Sequence, residues 1–252
     1  MSMAAAPAPA CALCGGAGWK IVERDGLSAA ERCDCYRDRR VKRLLEAAQI
    51  PANYARATFE SFLHGQKPAE FGAWEAAWKY TENFPFQLKK PGLLFTGPTG
   101  TGKTHLSVAI LRRLIEKGHE CVFIGYQDLL EKLKSSYDPA YGAALRESYQ
   151  RALECEVLIL DDLGAYRVTD WVLDTVTHLI TMRCNERRPL IATTNLLDMR
   201  AAGNRKLSGG ETDTRYTLAE RIGERARSRL MEMCVTVSMN GIPDFREKAA
   251  LR

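Results

Sequence analysis

Eight consecutive residues, Gly97-Pro98-Thr99-Gly100-Thr101-Gly102-Lys103-Thr104, carry the most specific chemistry in the chain. Their spacing, a glycine, four residues and then Gly-Lys-Thr, is that of a loop that cradles phosphate groups. Glycines let the backbone turn tightly and bring N–H groups onto phosphate oxygens with no Cβ in the way. The lysine is placed to reach β- and γ-phosphates, and the threonine hydroxyl is offered to Mg²⁺. Further on, the apolar run Val157-Leu158-Ile159-Leu160 ends in two carboxylates, Asp161 and Asp162. Asp161 suits Mg²⁺, and Asp162 suits a general base that polarises the attacking water. Two adjacent carboxylates at a buried strand end call for a cation to offset their repulsion. A third apolar run, residues 189–195, ends in Thr194 and Asn195. Asn195 is a candidate for orienting that water or touching the γ-phosphate, with Thr194 second. The three together imply a bound nucleoside triphosphate with Mg²⁺.

A separate constellation lies near the N-terminus. Of the eight cysteines, four form two pairs, Cys11-x-x-Cys14 and Cys33-x-Cys35. Gly15, Gly16 and Gly18 suit a knuckle turn after the first pair. Two such pairs can close a tetrahedral thiolate site for Zn²⁺. Four thiolates also suit iron, and free or redox-active thiols are the other reading. A segment this short has too little core to fold alone, so a metal would supply its stability. Cys121, Cys155, Cys184 and Cys234 read as small buried hydrophobes.

The elements that must position these groups follow from apolar periodicity. A strand over Gly92–Thr96 precedes the phosphate loop, and a helix follows it, with Leu106, Ala109, Ile110 and Leu114 on one face and Gly118 as its stop. The helix offers its unpaired N-terminal N–H groups and dipole to phosphate. Strands are expected at 120–124, 157–160, 189–195 and 235–237, and helices at 126–136, 143–153, 171–185 and 218–231. Residues 201–216 read as a polar, mobile loop. Pro68 opens a helix with Phe71, Trp74 and Trp78 on one face, read as core. Residues 50–62 form a loop with aromatic punctuation, which either lines an adenine pocket or packs the core. A short strand is expected at 19–22, and a basic helix from Tyr36 through Arg43 faces an acidic partner, nucleic acid or solvent. Gln49-Ile50-Pro51 breaks it and separates residues 1–48 from 49–252. The alternation gives an α/β three-layer domain with a mainly parallel sheet, preceded by a small cysteine module.

The chain has 252 residues, 46% hydrophobic and 27% charged, with a net charge of +5. That balance fits a globular protein and permits nucleic-acid contact without demanding it. No apolar run is long enough for a transmembrane helix. The Ala/Pro-rich residues 1–10 lack the basic start of a signal peptide and read as a disordered tail. With a nucleotide loop beside clustered cysteines, the expected compartment is the reducing cytoplasm.

The motifs G-P-T-G-T-G-K-T-H-L, L-I-L-D-D-L-G, A-T-T-N and E-R-A-R-S-R-L resemble those of AAA+ ATPases. More narrowly, the chain resembles the DnaC/DnaI-type replicative helicase loaders and the related IstB-type transposition ATPases. The cysteine-bearing start is similar to that of zinc-containing loaders. The resemblance implies a P-loop AAA+ fold and ATP as the nucleotide. It assigns Gly97 to Thr104, with His105, to Walker A, Asp161 and Asp162 to Walker B, and Asn195 to sensor 1. It makes Arg229 an arginine finger acting on a neighbouring subunit, with Arg225 one turn earlier as a helper, and Arg246 a sensor 2-like arginine. It implies slow ATP hydrolysis stimulated by assembly or DNA, ATP-dependent self-assembly, a hexameric replicative helicase as partner, and single-stranded DNA binding around residues 143–153, where Arg146 and Arg151 follow Lys132 and Lys134. The alternative within the family is an IstB-like ATPase that regulates transposition on duplex DNA. A small-molecule kinase would need an acceptor-binding lid, of which the sequence carries no sign.

Overall fold

The computed structural model describes residues 11–24, 26–62, 67–135, 142–198 and 216–246, with the side chains of 142–146 outside that description. The expected tail at 1–10 and most of the expected loop at 201–216 lie outside the described residues.

The N-terminal module is a hairpin, β1 (Trp19–Arg24) paired antiparallel with β2 (Leu27–Arg32), followed by helix α1 (Asp34–Ala47). The second strand has no counterpart in the sequence pattern. All six of its residues are exposed, so it carries no burial signal to read. Pairing of Trp19 with Arg32 brings the chain back beside Gly18, and Cys33 N–H donates to Gly18 O at 2.9 Å. The Arg32 guanidinium then lies over both the Trp19 ring (4.6 Å) and the Tyr36 ring (4.2 Å), a stabilising cation–π arrangement. Gln49 takes a left-handed φ of 58°, and the helix ends there as expected.

The main body follows: α2 (Pro68–Asn83), β3 (Gly92–Thr96), α3 (Lys103–Glu116), β4 (Cys121–Gly125), α4 (Tyr126–Ser135), α5 (Gly142–Glu154), β5 (Val157–Asp161), α6 (Asp170–Asn185), β6 (Leu190–Thr194), α7 (Leu218–Ile222), α8 (Glu224–Met233) and β7 (Cys234–Ser238). The five strands β3 to β7 form one parallel sheet in the order β4-β5-β6-β3-β7. Successive side chains of a strand face opposite sides. Leu93, Phe95, Phe123, Val157, Ile159 and Ile191 join one buried cluster with α2, α3 and the 50–62 loop. Leu94, Val122, Leu158, Leu160, Leu190 and Ala192 join the other, with α4, α6, α7 and α8. Both faces are apolar, as a parallel sheet covered by helices requires. The result is the expected three-layer α/β/α domain.

Three local expectations are corrected. The helix expected over 218–231 is two, because Gly223 (φ 84°, ψ 150°) leaves helical geometry between α7 and α8. On α2 the buried face is Glu70, Ala73, Ala77, Tyr80 and Thr81, whereas Trp74 and Trp78 are half-buried and Phe71 is exposed. The two indoles stack with their planes 6° apart at 5.6 Å, and Trp74 Nε1–H donates to Phe59 O at 3.1 Å. Cys121, Cys155 and Cys234 are buried, but Cys184 is half-buried.

Arg183, on α6, is fully buried. Its guanidinium donates to the carbonyls of Ala152 (2.8 Å), Cys155 (3.1 Å), Glu156 (3.2 Å) and Pro189 (2.6 Å). One side chain thus joins the end of α5, the entry to β5 and the entry to β6.

Candidate active site

The phosphate loop leaves the buried strand β3 and enters α3 through Gly102, which has φ 91°. A Cβ there would lie 2.7 Å from Cε2 of Phe62, so glycine is required by both conformation and space. Lys103 is 5% exposed. Its ammonium donates to Gly97 O (2.8 Å) and Pro98 O (2.7 Å), and Thr101 Oγ1 donates to Pro98 O (3.0 Å). Burial pulls the lysine pKa down, with Asp162 and Asp161 acting in the opposite sense.

The parallel sheet sets β6 between β3 and β5, so the ends of all three strands converge. Thr104 Oγ1 donates to the Asp161 carboxylate at 2.9 and 3.2 Å. Thr193 Oγ1 donates to the same carboxylate at 2.7 Å and accepts from Asp162 N–H at 2.9 Å. Burial pushes the Asp161 pKa up, and the Thr193 hydrogen bond opposes it. A hydroxyl and a half-buried carboxylate side by side are hard oxygen donors of the type Mg²⁺ takes. Asp162 has a left-handed φ of 55°, and its side chain is exposed.

Thr193 is a site residue that the motifs do not single out. Thr194, which they do, faces away: it is buried and donates to Leu163 O at 2.8 Å. Strand alternation is the signal that separates the two, because Thr193 and Asn195 share a parity that Thr194 does not.

A cavity of about 430 Å³ joins these groups, lined by Thr99, Gly100, Gly102, Lys103, Thr104, Asp161, Asp162 and Asn195, and also by Tyr54, Ser61, Phe62, His105, Phe245 and Arg246. That size is ordinary for a small-molecule site. The 50–62 loop both packs the core and borders this cavity. Phe59 is buried in the core, whereas Tyr54 and Phe62 line the cavity. His105 Nε2 lies 2.9 Å from Thr58 O and 3.1 Å from Ser61 Oγ. A carbonyl only accepts, so Nε2 carries the proton, and burial keeps the imidazole pKa below its ordinary value.

Arg246 lies at the cavity, but Arg229 does not line it. Arg229 is exposed on α8 and pairs with Glu232 at 2.7 Å; Arg225 is exposed on the same helix. Of the basic residues considered for DNA, Lys132 and Lys134 are exposed, whereas Arg151 donates to Ala47 O. The Arg146 side chain lies outside the described residues.

The four N-terminal sulfurs converge, all within 4.8 Å of one another. Cys14 and Cys35 are 3.3 Å apart, and Cys11 and Cys33 are 3.8 Å apart. A tetrahedral Zn²⁺ with Zn–S bonds of ~2.3 Å sets its sulfurs ~3.8 Å apart. The Gly18 N–H holds the Cys14 thiol down to about 6, while Cys14 pushes Cys35 up to about 12. Four sulfurs this close cannot all ionise without a cation among them, so the donor set fits a thiophilic metal.

Comparison with known proteins places this geometry among relatives. The family model described as IstB-like ATP binding protein matches residues 3–200. YqaM of Bacillus subtilis (strain 168) is 28% identical over 177 residues, 66% of this chain and 55% of YqaM. The replicative helicase loader DnaI of the same organism is 26% identical over 153 residues, 60% of this chain and 48% of DnaI. The matches thus span about half the length of these relatives. A crystal structure of the DnaC helicase loader superposes with a TM-score of 0.60 at 30% identity, covering 75% of this chain and 99% of that one. Among the described residues, no helix is long and apolar enough to cross a membrane.

Proposed function

The chain belongs to the IstB-like ATP-binding proteins, and from that premise we propose that it is an ATP-driven loader of a replicative DNA helicase. The observation that carries the reading is one polypeptide joining a four-cysteine module to an ATPase core similar to a helicase loader. Residues 1–48 serve as the partner-binding module and 49–252 as the ATPase. The alternative role, transposition on duplex DNA, shares the ATPase core, and the likeness to the DnaC loader structure is what favours the loader.

Each site residue has a task in this reading. The loop N–H groups and Lys103 bind the phosphates. Thr104 and Asp161 hold Mg²⁺, which neutralises charge on the phosphates when bound. Asp162 takes the proton of the attacking water, and Asn195 orients that water. Thr193, bonded to Asp161 and to the Asp162 backbone, positions both carboxylates. Cys11, Cys14, Cys33 and Cys35 would hold Zn²⁺, which would tie the turn before β1 to the start of α1. Single-stranded DNA meets the surface of α4 and α5 bearing Lys132 and Lys134.

The test is light scattering of the chain with the host's hexameric helicase, with and without ATP. A joint complex is expected. Cys11→Ser/Cys14→Ser should lose one bound Zn²⁺ per chain by elemental analysis and lose the complex, while keeping ATP affinity within about threefold. No complex, with ATP-dependent filaments on duplex DNA instead, would transfer the assignment to transposition.

Arg229 gives a second test. Its exposed guanidinium, away from the cavity of its own chain, is suited to reach a neighbour's γ-phosphate. An arginine supplied in trans raises turnover by ~10³–10⁵. Arg229→Ala should therefore abolish assembly-stimulated ATP hydrolysis and leave nucleotide affinity unchanged. Unaltered turnover would point to a monomeric enzyme.

A further inference from the structure

The cavity has two chemically different regions. One is built from Lys103, Thr104, Asp161 and Asn195. In the other, the Phe62 ring lies 5.7 Å from His105 and 5.8 Å from Phe245. Phe245 comes from the C-terminal segment, far from the nucleotide motifs in sequence.

That segment is fastened to the phosphate loop. Met239 N–H donates to Thr96 O at 2.7 Å, where the strand ends, and Phe245 N–H donates to Gly100 O at 3.0 Å. Ile242 is buried between these two anchors. The Asp244 carboxylate fills the space beside Gly100. A Cβ on Gly100 would lie 1.9 Å from Asp244 Oδ1, and that oxygen accepts from Arg246 N–H at 2.7 Å. Gly100 has φ 77°. The loop therefore forms the seat for residues 239–246, and the seat fixes where Phe245 stands.

Phe62 is buried, whereas Phe245 is half-buried and borders the cavity. Their rings meet at 66°, forming a corner and not a parallel slot. An aromatic ligand in such a corner stacks on one ring and presents its edge to the other, the two arrangements aromatic pairs prefer.

We propose that residues 242–246 form a strap over the base side of the nucleotide site, and that Phe245 binds the ligand by stacking on its purine ring, with Phe62 against the ring edge. The proposal rests on the reading of the cavity as an ATP site. Stacking of a base on an aromatic side chain tolerates different bases because every base has a π-face. Selection here is thus for a purine nucleotide, with ATP and GTP bound alike and the smaller pyrimidines more weakly.

The experiment is calorimetric titration of the full-length protein with Mg·ATP and, separately, with inorganic tripolyphosphate, which has phosphates but no base. Phe245→Ala should weaken ATP binding ~10- to 100-fold, leave tripolyphosphate binding within twofold, and keep the circular dichroism of the wild type. Phe245→Tyr should restore ATP affinity. Wild-type ATP affinity in Phe245→Ala, or equal losses for ATP and tripolyphosphate, would overturn the stacking role. A wild-type protein that binds neither ligand would instead overturn the ATP reading, and the strap with it.

Discussion

Asp162→Asn is expected to stop ATP turnover while leaving ATP bound. The side chain is exposed at the cavity, and its backbone N–H is held by Thr193 Oγ1. The amide keeps the shape and loses the basic oxygen. Removing a general base costs ~10²–10⁴ in rate. The substitution is clean because asparagine tolerates the left-handed φ of 55° found there. The measurements are phosphate release and calorimetric ATP affinity, with a hundred-fold or greater fall in the first and less than a threefold change in the second. Turnover within threefold of wild type would reassign the base.

The second large effect is on stability. Arg183→Leu should destabilise the fold by several kcal/mol, since a buried acceptor that loses its donor costs ~1–3 kcal/mol and Arg183 serves four carbonyls. Its guanidinium is held with a lowered pKa by burial, and it bridges α5, β5 and β6 through backbone carbonyls. Leucine leaves those carbonyls without their donor. Urea unfolding monitored by circular dichroism should show a lower midpoint at unchanged slope. Arg183→Lys should not restore stability, since a point charge cannot fork to four carbonyls. A midpoint shift worth less than about 1 kcal/mol would show that the carbonyls find other donors.

Asp162 and Arg183 differ in how openly the sequence displays them. Asp162 is legible because an apolar run that ends in two carboxylates rarely arises from packing alone. Arg183 is not, since one arginine near the end of an amphipathic helix looks like any solvated charge. The same contrast runs through the molecule. The five core strands and the phosphate loop announce themselves by apolar runs and glycine spacing, which act locally. β2 escapes notice because its residues bury nothing; pairing with β1 holds it. The break at Gly223 is a single-residue event inside an otherwise helical pattern. The indoles of α2 share one helical face, but that face lies at the margin of the core, and periodicity shows which residues align, not how deep they sit. Thr193 and Phe245 reach the site through tertiary packing. The first depends on which strand lies between β3 and β5, and the second on a segment seated by Gly100.

The stacked indoles of α2 have an optical consequence. Trp74 and Trp78 lie parallel at 5.6 Å, and the chain has four tryptophans in all. Two chromophores so close and so aligned share their excitation and mark the near-ultraviolet circular dichroism spectrum. The Trp74 indole N–H is bonded to Phe59, three residues before the Phe62 ring at the cavity. That pair thus gives a dye-free optical probe of how α2 packs against the 50–62 loop.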